Sequence, residues 1–177
     1  VMTITRLSEL QADDVKAVTD PDKTDLPLTP YEHDLLETAA GKVLLLHLHG
    51  NMLFGVSRAI SRKNSMVEGR EALVIDLKDV VHLGVSAALA LEETMLDMIR
   101  AGRRVYLVGA EGQTRERFEK LGLLALIPRE NMTDKRTVAL ERAIYGRPLQ
   151  PAGTSDQAPD ASSDEAGSSD TQSGQDG

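Results

Sequence analysis

Few side chains in this sequence are able to do chemistry, and most of them stand alone. His33, His47, His49 and His82 are its histidines. His47 and His49 lie two apart in the run Val43-Leu-Leu-Leu-His-Leu-His49, so on a strand their rings share a face. Two imidazoles on one face can begin a metal site. Zinc takes three or four protein ligands, however, and His33 and His82 are distant in sequence. A partly exposed strand pair is the preferred reading, and no metal site is assigned. His82 reads as an ordinary hydrogen-bonded loop residue. Its titration range would suit a proton sensor, but nothing else in the sequence supports one.

The second chemically suggestive place is Gly84-Val85-Ser86-Ala87, just before a helical pattern. The Ser86 hydroxyl can cap a free backbone N–H there. A phosphate at a helix start would be tolerated electrostatically as well; capping is the preferred reading. Gly109-Ala-Glu-Gly112 also leads into a helix, but it lacks the lysine and spacing of a phosphate loop. It reads as a turn without a ligand. Glu92, Glu93 and Asp97 form an acidic helix face, either simply solvated or docking a basic partner. No cysteine occurs, so disulfides and thiolate sites are excluded and a reducing compartment is expected. With no nucleophile elbow and no acid–base constellation, the chain is not expected to be an enzyme. No catalytic, cofactor or metal residue is assigned.

The elements that would position these residues alternate between strand and helix. Val43 to His49 is a strand ended by Gly50. Phe54 to Met66 reads as a helix, and Ala72 to Leu77 is a continuous apolar run typical of a strand buried on both faces. Ser86 to Arg100 is a helix with Leu91, Met95, Met98 and Ile99 inward. Val105 to Val108 is the next buried strand, followed by a helix over Gln113 to Leu121 with Phe118 inward. Leu124 to Ile127 reads as a short last strand, and Thr133 to Tyr145 as a last helix capped by Thr133 or Asp134. Strands separated by helices imply parallel pairing through right-handed crossovers. The fold class is therefore α/β, a small sandwich with a mostly parallel central sheet and helices packed on it.

Composition divides the chain into three. Residues 1–30 are a lead-in, where Leu7, Leu10, Val15 and Val18 suggest a short amphipathic helix. Pro21, Pro27 and Pro30 then mark a semi-rigid connector. Residues 31–147 carry the periodic apolar pattern. Residues 148–177 are rich in Ser, Gly, Asp and Gln, a composition that buries too little to offset chain entropy and reads as disordered. This tail holds six acidic residues and no lysine or arginine, so it supplies six of the eight net negative charges. That balance argues against a nucleic-acid partner. No segment has the roughly 20 apolar residues a spanning helix needs.

The run Ala72-Leu-Val-Ile-Asp-Leu-Lys-Asp-Val-Val-His-Leu-Gly-Val-Ser-Ala-Ala-Leu-Ala-Leu-Glu-Glu93 resembles the central strand, loop and helix of STAS domains. Arg103-Arg-Val-Tyr-Leu-Val-Gly-Ala110 and Arg117-Phe-Glu-Lys-Leu-Gly-Leu123 resemble the next strand and helix. Leu-Leu-Leu-His-Leu-His-Gly50 and His82-Leu-Gly-Val-Ser86 are most similar to the domain at the C-terminus of SulP-family anion transporters, in particular cyanobacterial sodium-dependent bicarbonate transporters. The resemblance implies a regulatory and dimerisation module on the cytoplasmic face of the membrane. Its partners would be the transporter's membrane domain and a second copy, with no cofactor and no direct small-molecule substrate. The lead-in would then join a last transmembrane helix to the body.

The alternative is a stand-alone module similar to the anti-sigma-factor antagonists. In those relatives the loop reads Asp-Ser-Ser/Thr-Gly, and the Ser after the Asp is phosphorylated. Here Gly84 and Val85 replace that Asp and Ser, and valine carries no hydroxyl. Leu83, Gly84, Val85 and Ser86 are accordingly expected to form an interaction loop without phosphate. The competing reading folds Val85 back into the core, since valine is commonly buried.

Overall fold

The computed structural model describes residues 14–53 and 55–146. Five strands form one sheet in the order β1-β2-β3-β4-β5. These are β1 (Val15–Val18), β2 (Val43–Met52), β3 (Ala72–Leu83), β4 (Arg104–Val108) and β5 (Met132–Thr133). β2 to β5 run parallel, and β1 pairs antiparallel on the outside of β2. The helices are α1 (Pro30–Ala39), α2 (Val56–Lys63), α3 (Val85–Arg100), α4 (Gly112–Lys120) and α5 (Arg136–Tyr145).

Alternation along the strands decides which helices go where. Leu44, Leu46 and Leu48 of β2, Leu73, Ile75 and Leu77 of β3, and Val105 and Leu107 of β4 project to one face. There they meet Val56 and Ile60 of α2, Leu91, Met95 and Met98 of α3, and Phe118 of α4. The opposite face, carrying Val43, Leu45, Val74, Tyr106 and Val108, packs on Leu35 and Leu36 of α1 and on Ala139, Leu140 and Ala143 of α5. Helices cover both faces of the inner strands, which is why residues 43–46, 72–75 and 105–108 read as apolar runs.

The structure corrects several sequence expectations. Val15 and Val18 belong to a strand, not to an amphipathic helix: the unpaired edge of β2 captures this segment through pairings from Val15↔Leu48 to Val18↔Leu45. Leu7 and Leu10, the other half of the expected helix, lie outside the described residues, as does the tail from Arg147 onward. β2 does not end at Gly50 but continues to Met52, with Gly50 at φ 79°. β3 runs on from Leu77 to Leu83, so His82 is a strand residue opposite Asn51 and not a loop residue. Leu124–Leu126 is a 3₁₀ turn, and the last strand is Met132–Thr133. α5 starts later than expected, at Arg136, with Lys135 as N-cap. Thr133 Oγ1 instead accepts from the Lys135 N–H, and neither Thr133 nor Asp134 caps the helix.

Helix α1 went unread although its start is written in Thr29-Pro30-Tyr31-Glu32. Thr29 Oγ1 accepts from the Glu32 N–H, the Glu32 carboxylate accepts from the Thr29 N–H, and Pro30 occupies the first turn. The proline-rich stretch before it lies against the body. Leu26 is buried in the core on the α1–α5 face, and the Pro27 carbonyl accepts from Arg136.

Candidate functional site

Two regions at the C-terminal ends of β2 and β3 combine exposure with specific structure, one on each face of the sheet. Both depend on irregular pairing. Between His47↔Asp76 and His49↔Asp79, β3 advances three residues while β2 advances two; between Gly50↔Val80 and Asn51↔His82 it gains another. Such bulges re-aim side chains at a strand end. The first is braced by Asp76 Oδ1, which accepts from the Lys78 N–H. Gly109 packs against it: a Cβ there would stand 2.7 Å from Lys78 Cα, at φ 70°. This close approach gives the Gly109–Gly112 turn a packing role. The second bulge leaves Val81 72% exposed.

On the α2–α3–α4 face, β3 ends in the loop singled out by sequence. Leu83 lies in the core, and helix α4 clamps its backbone: its N–H donates to Gln113 Oε1 at 2.8 Å. Its carbonyl accepts from Gln113 Nε2 at 3.0 Å and Arg117 Nε at 3.3 Å. Gly84 is the N-cap of α3 and touches β2, with its N–H on the Met52 carbonyl at 2.8 Å. A Cβ at Gly84 would meet that same oxygen at 2.9 Å, so glycine is required by proximity, its φ being an ordinary −75°. Ser86 is exposed within the first turn and makes no cap hydrogen bond, contrary to the expected capping. The helix begins one residue earlier because the Gly84 carbonyl already accepts from the Ala88 N–H. Val85 is 45% exposed and so does not fold back into the core. Leu89, one turn on, is 47% exposed, and Leu53 is 40% exposed. These three, with Gly84 and Ser86, line an apolar groove of about 390 Å³. Sequence reasoning missed Leu53 and Leu89. The i,i+4 spacing of Val85 and Leu89 was a signal for the second, whereas Leu53 arrives only through β2–β3 pairing.

The α1–α5 face carries a polar cavity of about 480 Å³ at the same end of the sheet. His47 is 5% exposed, and its Nε2 lies 2.9 Å from Asp79 Oδ2. His49 is largely exposed, with Nδ1 3.6 Å from Asp14 Oδ1. Both histidines line this cavity, so they do share a side of the sheet, although one is buried and the other is not. Arg136 also lines the cavity. Its Nε and Nη2 grip Glu32 at 2.6 and 3.1 Å, and its Nη1 reaches Asp76 at 3.2 Å. Burial alone would raise the Glu32 carboxyl, but the hydrogen bonds from Arg136 and from the Thr29 N–H outweigh it and hold Glu32 below the ordinary carboxylate range. Burial would lower Arg136, and the Glu32 and Asp76 carboxylates reverse that, raising it. The triad ties α1, β3 and α5 together.

Of the acidic face on α3, Glu93 is exposed and Glu92 half-buried, while Asp97 Oδ2 accepts from Asn64 Nδ2 at 2.8 Å. No helix among the described residues is long and apolar enough to cross a membrane.

This arrangement, a β-strand running into a glycine-capped helix beside a parallel sheet, can be compared with known proteins. The sequence pattern of the STAS domain matches residues 37–138. The chain belongs to the STAS domain family. A protein of Synechocystis sp. (strain ATCC 27184 / PCC 6803 / Kazusa), described as bicarbonate transporter BicA, is 43% identical over 144 residues, covering 81% of this chain and 25% of that protein. The bicarbonate transporter BicA of Picosynechococcus sp. (strain ATCC 27264 / PCC 7002 / PR-6) is 42% identical over 146 residues, covering 82% and 26%. The chain thus spans about a quarter of the length of these curated relatives. Among solved structures, the sulfate transporter family protein from Wolinella succinogenes superposes with a TM-score of 0.53 at 19% identity, over 70% of this chain and 94% of that one. This likeness supports the STAS fold assigned above.

Proposed function

We propose that this STAS domain is the cytoplasmic regulatory and dimerisation module of a SulP-type anion transporter whose transported ion is bicarbonate. The observation that carries the reading is the 43% identity to the Synechocystis bicarbonate transporter across 81% of the chain. The groove of Leu53, Val85 and Leu89 supplies an apolar contact surface, which we assign to the membrane part or to a second copy of the domain. Three exposed apolar side chains gathered around a glycine turn suit protein contact better than a phospho-switch, which needs a hydroxyl where Val85 stands. The domain acts through contacts and not through catalysis. Residues ahead of β1 serve as the connection to the membrane part, since Val15–Val18 and Leu26 already belong to the packed body.

The coding sequence upstream of Val1 tests the parentage. A run of about ten or more apolar segments of spanning length, continuous with this chain, is expected. An upstream stop codon with no such segments would overturn the reading and return the chain to the stand-alone, anti-sigma-antagonist-like class.

A further inference from the structure

We infer that the acidic segment of this chain, residues 148–177, docks by charge on the basic end of the sheet, the end opposite the Val85 groove. The surface is built by the turns that lead into the inner strands. Lys42 precedes β2, Arg70 lies just before β3, Arg100 ends α3, and Arg103 and Arg104 open β4. Parallel pairing gathers them, because Val43 lies beside Ala72 and Ala72 beside Arg104. Backbone bonds tie the turns together, from the Glu71 N–H to the Lys42 carbonyl at 2.7 Å and from the Arg104 N–H to the Glu71 carbonyl at 3.3 Å. Lys42, Arg100, Arg103 and Arg104 are exposed, and Arg70 is half-buried.

Their charge is left largely uncompensated. Arg70 donates to the Gly41 and Met66 carbonyls at 2.6 and 3.0 Å, and Arg104 to the Ala143 carbonyl at 3.0 Å. Carbonyls satisfy these donors without cancelling the cations. Among the described residues, only Lys42 of the five has a carboxylate within reach, Glu71 at 4.0 Å. The same turns hold just one further acid, Glu68, beside Arg70 and Arg103 in a cavity of about 510 Å³.

The chain leaves the body at this same end, and that selects the occupant. Helix α5 closes at Gly146, where a Cβ would stand 3.9 Å from Arg104 Nη1. The segment that follows carries six acidic residues and, past Arg147, no lysine or arginine. A coil of 15–20 residues spans roughly 20–25 Å, enough to return Asp160 and Asp164 over the turns. The Val85 groove lies at the far end of β3, roughly 40 Å away, and offers apolar contacts in place of charge. Exposed ion pairs are individually weak, but tethering gives the segment a high effective concentration. The segment thereby competes with any other anionic partner of this end.

The sequence has no cysteine, so Ser163→Cys provides a single thiol for a nitroxide label beside Asp164. Amide signals of the isotope-labelled 177-residue chain are compared with the nitroxide oxidised and reduced. Broadening should be strongest at Arg70, Glu71, Arg100, Gly102 and Arg103. It should fall at least about threefold between about 50 mM and about 0.5 M NaCl, as screening shortens the Debye length. Arg100→Gln with Arg103→Gln, at two exposed positions without a partner among the described residues, should have the same effect at low salt. Salt-independent broadening would reflect tethering alone and overturn the inference. So would broadening centred on Arg58 and Arg62 of α2 or on the Val85 groove. Equal broadening of an isotope-labelled, nitroxide-free chain by a nitroxide-bearing second chain would place the contact between copies, and would likewise overturn docking within one chain.

Discussion

At the scale of single residues, Gly84, Val85 and Gly109 each occupy positions with a physical reason. Gly84→Ala places a Cβ 2.9 Å from the Met52 carbonyl oxygen, where β2 and the start of α3 meet. A loss of roughly 1–3 kcal/mol in chemical denaturation is expected, the usual cost of overpacking a fixed contact. Gly109→Ala combines a 2.7 Å clash against backbone with a left-handed φ of 70° and should cost more, about 2–4 kcal/mol. If the two variants proved equal to wild type, the close approaches would be too soft to define the loop. Ser86 poses a chemical question: its hydroxyl is exposed and caps nothing. The account predicts that phosphopeptide mass spectrometry of protein from its native cell finds no stoichiometric phosphate on Ser86. Such a phosphate would contradict the proposed reading of this loop as a contact surface without phosphate.

Elements show where the sequence was legible and where it was not. β3, β4 and α3 announce themselves because burial on both faces, or on one stripe, is written directly in residue type: Ala72 to Ile75 is unbroken apolar sequence, and Leu91, Met95 and Met98 recur at helical spacing. β1 was not legible. Val15-Lys-Ala-Val18 carries no alternation of its own and becomes a strand only because β2 offers an edge. The bulges in β3 are equally silent, since they are set by pairing with β2 and by the approach of Gly109. For that reason Asp79 and Asp14 could not be matched to the histidines from sequence. Likewise, Glu32, Asp76 and Arg136 are 104 and 60 residues apart in their pairings. This triad yields a pH prediction. The folded-state value of Glu32 lies below its ordinary one of 4.5, so the unfolded chain takes up the proton first. Glu32's contribution is therefore present above about pH 4.5 and is lost as pH falls further. Arg136→Met should leave the buried Glu32 unpaired and destabilise the domain by about 3 kcal/mol at pH 7. The difference from wild type should shrink toward pH 3. A pH-independent difference would place the stabilisation in packing and not in charge.

At the scale of the whole molecule, the described residues form a three-layer domain whose two outer faces differ in character at one end of the sheet, apolar around Val85 and more polar around His47. On the proposed reading the domain associates weakly with its twin, because attachment to a membrane part would supply effective concentration that the isolated domain lacks. Sedimentation at high concentration should show reversible association, and a strict monomer at millimolar levels would count against an intrinsic dimer. The central claim is that the Val85 groove is a contact surface of a transporter, and Val85→Asp tests it most directly. Val85 is half exposed in the first turn of α3, where an acidic residue is favourable to the helix. The unfolding free energy of the isolated domain should therefore stay within the change of about 0.5 kcal/mol usual for surface substitutions. Measured in the full-length parent in cells, bicarbonate uptake should drop severalfold at equal expression. Wild-type uptake by Val85→Asp, with the domain still folded, would contradict the account.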